Sequence, residues 1–389
     1  MNKQAGMSVQ FYLFFFTWGV FIPYWTAWLK TKGFSIEEAG WFVSLSLIVR
    51  SVSTLYGYPA LCRVAPLSQL ARWLPFLSAV ILLGFIPFQG FVPILVLTVL
   101  FAWTYPVLLP MNETIANMLA KEKQIDYGRS RLWGSVGYIV GLYVTGWITS
   151  RLGDASTLYV LFIGLIIVYL HSFVGVSNQF ATKASTRDNV SMRKLFKSRA
   201  FIWCLLICIL LQGAHAAYNS YGVVYLQKLG IDNSQIGLIM IVAVVAEIGF
   251  FYVADRFMAN VPIAVMFFIA AVSSVVRWGA IYLFPDATVF IITQVLHAIT
   301  FGLTHFAYMR FVNQWVPNAY IPSAQGAYAS LAMGLGTGLL TILCGYAYAV
   351  SPQLPFLLMA ALTMPSFGLV FLLHGALKRQ PLPTASTSS

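Results

Sequence analysis

Seven ionisable side chains interrupt runs of apolar residues in this sequence. They are two arginines, two glutamates and three histidines: Arg50, Glu113, His215, Glu247, Arg277, His297 and His305. A charge at membrane depth costs about 3 kcal/mol on insertion scales, so such residues usually face one another or a water-filled path. Histidine also titrates near neutral pH and can take part in a proton relay. These residue types favour a polar path through a membrane.

The elements that carry these residues are predicted to be membrane-spanning helices. Hydrophobic residues make up 59% of the 389 residues and charged residues 9%, with a mean hydropathy of +0.80. A helix needs about twenty apolar residues to cross a bilayer. Runs near this length occur at 8–29, 40–61, 73–90, 93–119, 132–150, 155–176, 200–227, 235–257, 261–284, 287–312, 322–349 and 353–376. The sequence therefore predicts an all-α membrane protein with twelve transmembrane helices, numbered here as spans 1 to 12.

The positive charges predict the orientation of these spans. The net charge is +12, but Lys and Arg gather in the loops on one side of the predicted membrane. The exceptions are Lys30, Lys32, Arg151 and Lys228 on the other side and Arg50 and Arg277 within spans. Such asymmetry marks the cytoplasmic side. We expect a multi-pass membrane protein with both termini in the cytoplasm and with the lipid bilayer, not nucleic acid, as its partner; the basic excess reports topology rather than a partner.

The chain is predicted to consist of two six-helix halves, residues 1–176 and 200–377. A basic, Ser/Thr-rich stretch at 177–199 is interpreted as a cytoplasmic linker, and residues 378–389 as a disordered cytoplasmic tail. Residues 24–40 align with residues 221–237, which pairs Gly33 with Gly230; without a gap, Arg50 then falls on Glu247. Parallel repeats with a binding site at mid-depth are a transporter architecture, although coincidence is the alternative for the opposed charges.

Other features set limits on the chemistry. The four Cys residues lie in or beside spans and imply no disulfide framework; Cys204 and Cys208 are expected to pack rather than to bind a metal. Neither a nucleotide loop, a metal-ligand cluster nor a nucleophile triad is apparent, so we expect no cofactor, no metal and no enzyme activity. Glycines in spans 5 and 11 allow close helix packing, static or sliding. Pro106 and Pro110 predict a kink before Glu113.

The segment GRSRLWGSVGY at residues 128–138 resembles the start of the fifth helix in the lactose-permease-like branch of the major facilitator superfamily. In that branch a Glu, an Arg and an aromatic ring hold the sugar. The resemblance therefore implies that Glu113, Arg131 and Tyr138 contact the substrate. An ion pair that only stabilises the ends of two helices is the alternative interpretation.

Spans 9 and 10 resemble the helices that carry proton coupling in the same branch. Arg277 and His297 match its Arg and His by position and spacing, but Thr300 stands where the branch has its proton-carrying Glu. The resemblance implies coupling by Arg277 and His297. Glu247 in span 8 and His215 in span 7 are expected to join them.

The motifs LLQGAHAAYNSY, VVAEIGFF, SVVRWG and QVLHAITF resemble the bacterial 3-phenylpropionate permease group, a branch of the same superfamily. That resemblance implies a proton-coupled symporter for an aromatic carboxylic acid in the bacterial inner membrane. We expect the protein to be a monomer. Arg50, Tyr24, Trp28 and Tyr218 are expected to contribute to the substrate cavity, since rings stack and Arg clamps a carboxylate. The alternatives are a proton symporter of a sugar or nucleoside, a drug-efflux antiporter and a transport-inactive sensor.

A repeated gate motif completes the expected site. The superfamily's Gly…Asp-Arg signature is degenerate after span 2 but intact in its repeat counterpart after span 8. The resemblance implies that Asp255 and Arg256 latch the cytoplasmic gate.

Overall fold

The computed structural model describes residues 2–175 and 192–379, which are almost entirely helical and contain no β-strand. Twelve long helices follow one another: α1 Lys3–Thr31, α2 Ile36–Val64, α3 Leu67–Gly84, α4 Phe91–Lys121, α5 Tyr127–Leu152, α6 Asp154–Val174, α7 Arg199–Lys228, α8 Asn233–Met258, α9 Ile263–Leu283, α10 Ala287–Trp315, α11 Ile321–Val350 and α12 Leu354–Lys378. They coincide with spans 1 to 12, so the predicted all-α architecture is confirmed.

Eleven of these helices are long and apolar enough to cross a membrane, counted over the described residues. The remaining helix, α5, is long enough at 26 residues but less apolar. Its first turns carry Arg129 and Arg131, and glycines and threonines follow. Among these residues, Arg131 was assigned to a site and the glycines to close packing by the sequence.

Several helices are interrupted close to the interior ionisable residues. Helix α4 is broken between Thr104 and Leu108, where Pro106 removes a backbone donor, and the predicted kink before Glu113 is confirmed. Segments of π-helix occur at Ser53–Gly57 in α2, Ala298–Leu303 in α10 and Tyr328–Gly336 in α11. Such insertions are frequent at functional sites.

The described residues form two compact units. The first unit contains the described residues within Met1–Arg187 and Asn219–Ile241. The second unit contains the described residues within Asp188–Tyr218 and Val242–Ser389. The second part of α7 and the start of α8 therefore pack with the helices of the first half. The halves expected from sequence, 1–176 and 200–377, remain a prediction about the repeat.

Glycine contacts fix α5 against α1 in the first unit. A Cβ atom on Gly137 would lie 2.1 Å from the carbonyl oxygen of Tyr12, and one on Gly141 would lie 2.3 Å from that of Phe16. These neighbours are backbone atoms and cannot rotate away. Only glycine permits this approach, which positions Arg131 at the start of α5.

In the second unit, buried residues of α7, α9, α10 and α11 share one core cluster. Cys204 and Cys208 are buried within it, as their expected packing role requires. Before α10, Asp286 accepts a hydrogen bond from the backbone N–H of Thr288 at 2.7 Å, and this capping lowers the pKa of its carboxyl. The cap fixes the start of the helix that carries His297 and His305.

The repeat receives local support from two glycines. Gly33 follows α1 with φ of +85°, and Gly230 follows α7 with φ of +81°. Both are in the left-handed region that favours glycine, and they are paired by the alignment of 24–40 with 221–237. The same backbone conformation therefore ends the first helix of each repeat.

Both polar segments fall partly beyond the described residues. Of the predicted linker 177–199, residues up to 191 lie outside them; Met192–Lys197 forms a short 3₁₀ helix and α7 begins at Arg199. Of the predicted tail 378–389, Lys378 and Arg379 end the last helical segment, Pro365–Arg379, and the rest lies outside the described residues. The bounds of the linker and of the tail stay predictions.

Candidate functional site

Arg277 is the centre of a polar cluster in the second unit. Its side chain is completely buried. One terminal nitrogen donates to Nδ1 of His297 at 3.1 Å and to Oγ1 of Thr300 at 3.0 Å. The other donates to Oε1 of Gln294 at 3.0 Å. All three partners are neutral acceptors, and no carboxylate among the described residues lies within 4 Å of the guanidinium.

Thr300 connects Arg277 to His215. The Nε2 atom of His215 lies 3.1 Å from Oγ1 of Thr300, and its Nδ1 lies 3.0 Å from the carbonyl oxygen of Leu211. A carbonyl can only accept, so Nδ1 of His215 carries the hydrogen and Nε2 accepts from the Thr300 hydroxyl. Thr300, which occupies the position of the missing acid, thus accepts from one side chain and donates to another.

Glu247 meets His297 on the opposite side of the cluster. Oε2 of Glu247 lies 3.5 Å from Nε2 of His297. Since Nδ1 of His297 accepts from Arg277, the hydrogen of the neutral ring is on Nε2 and points towards the carboxylate. The Glu247 side chain is 24% exposed, against 10% for His297. All four residues predicted to couple protons therefore meet in one polar cluster, which Glu247 joins through its 3.5 Å contact with His297.

Aromatic rings enclose the cation of this cluster. The guanidinium carbon of Arg277 lies 5.0 Å from the ring centre of Tyr218 and 4.4 Å from that of Trp278. Tyr218 also contacts the ring of His297 at 5.6 Å. Cation–π contacts of this kind partly offset the loss of hydration. Tyr218, expected at the substrate cavity, thus lies against the predicted coupling residues.

The first unit contains the predicted ion pair. Nε of Arg131 donates to Oε1 of Glu113 at 3.1 Å, and the hydroxyl of Tyr127 donates to Oε2 at 2.7 Å. The guanidinium of Arg131 covers the rings of Phe15, at 4.2 Å, and Phe11, at 5.5 Å. The two charged side chains are 36% and 27% exposed. The pair is thus partly accessible, and its carboxylate already balances its cation.

Arg50 occupies a separate aromatic crevice in the same unit. Its guanidinium carbon lies 5.0 Å from the ring centre of Trp18. No described carboxylate lies within salt-bridge distance of it. Phe21, Phe101 and Pro106 also line the crevice. The ring of Trp18 also contacts that of Tyr105, at 5.7 Å between ring centres. Tyr105 belongs to a larger group of packed aromatic rings.

The other predicted substrate residues are Tyr24, Trp28 and Tyr138, all in the first unit. The hydroxyl of Tyr24 donates to the carbonyl oxygen of Leu142 at 3.1 Å, and Trp28 stacks on Trp25 at 4.5 Å; both Tyr24 and Trp28 are buried. Tyr138 lies seven residues beyond Arg131, which is about 10 Å of helix. Tyr24 and Trp28 make packing contacts here, and the binding roles of all three stay predictions.

The predicted gate residues lie at the carboxyl end of α8. Asp255 and Arg256 are exposed, and Arg256 lies 5.9 Å from the ring of Phe257. Neither forms an ion pair with another described residue. Their latch role remains a prediction.

Sequence reasoning missed several members of the site. Gln294 lies one turn before His297 and could have been found by helical spacing. Trp18 and Tyr127 carry no signal that separates them from the many other aromatic residues of the chain. Gln212 and Tyr328 contact each other at 2.7 Å and connect α7 to α11, which only the tertiary structure reveals.

Comparison with known proteins assigns the chain to a family. The model of the MFS_1 like family matches residues 5–358. The chain belongs to that family. A probable 3-phenylpropionic acid transporter of Escherichia coli K12 is 27% identical over 367 residues, covering 94% of this chain and 97% of the relative. The maltose permease of Geobacillus stearothermophilus is also 27% identical, over 88% of this chain and 87% of its own length.

The fold agrees with this assignment. The crystal structure of the nucleoside transporter NupG matches 98% of this chain and 100% of its own with a TM-score of 0.81 at 17% identity. The predicted membership in the major facilitator superfamily is confirmed. The protein is therefore a multi-pass membrane transporter of small-molecule substrates, in a family of transporters rather than enzymes.

Proposed function

We propose that this transporter is a proton symporter that imports an aromatic monocarboxylic acid such as 3-phenylpropionate. The observation that carries the proposal is the environment of Arg50. Its guanidinium stacks on Trp18 in a crevice of aromatic and apolar side chains, with no described carboxylate within 4 Å. A ligand with a ring and one carboxylate supplies both the missing anion and a stacking surface.

The balance of interior charge supports a monoanion. Glu113 neutralises Arg131 in a direct pair, and Glu247 and Arg277 share the cluster around His297. The charge of Arg50 remains uncompensated among the described interior residues. One bound carboxylate compensates the charge of Arg50, which lowers the cost of holding that guanidinium at membrane depth.

The hydrogen-bond directions support Glu247 as the proton carrier. A proton on Nδ1 of His297 displaces the bond from Arg277, and one on Nε2 of His215 displaces the bond from Thr300. A carboxylate has lone pairs on two oxygens and accepts a proton at smaller cost to its neighbours. Glu247 is also the more exposed member of its pair with His297. In this proposal Glu247 supplies the acidic group that the family has at the position of Thr300.

In this mechanism Glu247 takes a proton from outside, and the substrate carboxylate then engages Arg50. The loaded carrier reorients by alternating access between the two halves, 1–176 and 200–377, and releases both ligands to the cytoplasm. Asp255 and Arg256 latch the cytoplasmic side. One proton with one monoanion carries no net charge, so the pH gradient drives uptake and the membrane potential does not.

The cellular setting is proposed on the same basis. The asymmetry of Lys and Arg supports cytoplasmic termini in a bacterial inner membrane. The protein acts as a monomer, because a single chain carries both halves and both polar clusters.

The alternative is a proton symporter of a sugar or nucleoside. The Glu113–Arg131 pair, 3.1 Å long and partly exposed, favours it, because charged side chains can bind hydroxyl groups. The named relatives include a maltose permease, and NupG is a nucleoside transporter.

Competition for uptake separates the two candidates. Purified protein in liposomes is given labelled 3-phenylpropionate at an inward proton gradient, with protein-free liposomes as the control for passive entry of the acid. Unlabelled aryl acids are expected to inhibit, and maltose and uridine to have no effect. Saturable uptake of maltose or uridine, with none of the aryl acid, would replace the leading proposal with the alternative.

A further inference from the structure

A second polar group in the same unit lies beyond the Arg277 cluster and has no role in the mechanism above. Nε2 of Gln212 donates to the hydroxyl oxygen of Tyr328 at 2.7 Å and to the carbonyl oxygen of Phe301 at 3.3 Å. Nδ1 of His305 lies 3.2 Å from the same hydroxyl. These three side chains connect α7, α11 and α10. Gln212 and Tyr328 are buried.

The directions of these bonds follow from the acceptors. The Phe301 carbonyl can only accept, so the amide nitrogen of Gln212 must face it and Tyr328. The Tyr328 oxygen accepts from that nitrogen, which leaves the hydroxyl hydrogen for Nδ1 of His305. The chain of donors therefore runs from Gln212 through Tyr328 to His305. Oε1 of Gln212 is buried without a partner among the described residues.

The group is close to the proposed proton carrier. A Cβ atom on Gly302 would lie 3.6 Å from Cγ of Glu247, so Glu247 packs on the turn of α10 just before His305. One turn later on α8, Phe251 contacts the His305 ring at 6.2 Å. The contacts lead from Glu247 to His305 without leaving the interface of α8, α10 and α11.

The backbone is unusual at the same place. Tyr328 is the first residue of the nine-residue π-helical segment Tyr328–Gly336, and the segment Ala298–Leu303 ends two residues before His305. A π-helical turn rotates the residues that follow it relative to an α-helix. The two π-helical segments thus lie next to His305 and Tyr328, whose side chains contact each other.

We propose that Tyr328 and His305, oriented by Gln212, form the route by which the proton leaves Glu247. The inference rests on the proposed proton symport. In the step, the side chain of protonated Glu247 turns towards Tyr328, its O–H bond breaks, and a new O–H bond forms at Tyr328. The original Tyr328 hydrogen moves to Nδ1 of His305. His305 lies eight residues nearer than His297 to the predicted cytoplasmic end of α10, and it returns to neutral by losing a proton to water there.

Two transport modes test this route, because only one requires the proton to leave. Exchange of labelled for unlabelled substrate needs only reorientation of the loaded, protonated carrier. Net uptake driven by a pH gradient needs deprotonation of Glu247 in every cycle. Tyr328→Phe keeps the ring but removes the hydroxyl, and we expect its rate of net uptake to fall at least tenfold while its exchange rate stays within about twofold of wild type.

A neighbouring tyrosine provides the matched control. Tyr308 stacks on Tyr328 at 4.5 Å and donates its hydroxyl to the carbonyl oxygen of Ala324 at 2.7 Å. Tyr308→Phe removes the same atom from the same stack without touching the route, and both rates are expected to stay near wild type. His305→Gln, which retains a hydrogen-bonding side chain but cannot hold the proton, is expected to behave like Tyr328→Phe.

The outcomes are distinct. Net uptake at the wild-type rate in Tyr328→Phe and His305→Gln would overturn the proposed route. Loss of exchange together with net uptake, in variants whose melting temperature is unchanged, would also overturn it and assign these residues to binding or reorientation. Wild-type uptake that is independent of the proton gradient would instead refute the proposed symport itself, and the route with it.

Discussion

Replacement of Arg50 by methionine is expected to affect stability and binding in opposite directions. Methionine retains an unbranched apolar side chain of similar length and removes the charge. Arg50 lies near the middle of α2, over Trp18 and without a described carboxylate within 4 Å. The charge is therefore a cost to the empty protein and an attraction for an anionic ligand.

The magnitudes follow from these contacts. An uncompensated guanidinium at membrane depth costs about 3 kcal/mol, and a stacked Trp returns about 0.5–2 kcal/mol. We therefore expect Arg50→Met to melt no lower than wild type. Removal of one partner of a desolvated charge pair lowers the binding free energy by about 2–5 kcal/mol. Binding of 3-phenylpropionate should weaken by roughly 30-fold to several thousand-fold.

Calorimetric titration of the purified protein with 3-phenylpropionate and with 3-phenylpropanol is the assay. The alcohol has the same ring and chain but no carboxylate, so its affinity should change by less than about threefold between wild type and Arg50→Met. Equal weakening for both ligands would show a general distortion of the site. Unchanged affinity for the acid would show that Arg50 does not hold the carboxylate; either result refutes the reasoning.

Two further substitutions test packing and the polar cluster. Gly137→Ala puts a methyl group against the backbone of Tyr12, 2.1 Å from its carbonyl oxygen, and is expected to lower the melting temperature by several degrees, whereas Gly249→Ala, with nothing within 4 Å, should not. Equal melting temperatures would refute the close contact of α1 with α5. Thr300→Val leaves Arg277 and His215 each short of one hydrogen bond and is expected to destabilise by about 1–3 kcal/mol in chemical unfolding, against less than 1 kcal/mol for an exposed Thr.

The sequence predicted the helices well because each span needs only local information. Length and hydropathy are enough to predict a membrane helix, and the presence of Pro106 predicts the break in α4. The pairing of Arg277 with His297 was also predictable, since both match one family motif. The position of Glu247 beside His297 was expected only loosely, because it depends on how α8 packs against α10.

The remaining features depend on backbone geometry that hydropathy does not encode. The π-helical segments of α2, α10 and α11 change which side chains face one another, and nothing in their composition marks them. Thr300 was expected to leave a gap where the family has an acid, yet its hydroxyl connects Arg277 to His215. Tyr24 and Trp28 are buried in packing contacts, and their expected place at a cavity stays a prediction. These contacts depend on tertiary neighbours that lie far away in sequence.

The driving force for uptake tests the central claim most directly. Initial rates of 3-phenylpropionate entry are compared between proteoliposomes and protein-free liposomes, first with an inward proton gradient at zero potential and then with a negative-inside potential at equal pH. The account predicts protein-dependent uptake against a substrate gradient in the first condition and none in the second, because one proton carried with one monoanion moves no net charge. Protein-dependent uptake that follows the potential and ignores the pH gradient would contradict it.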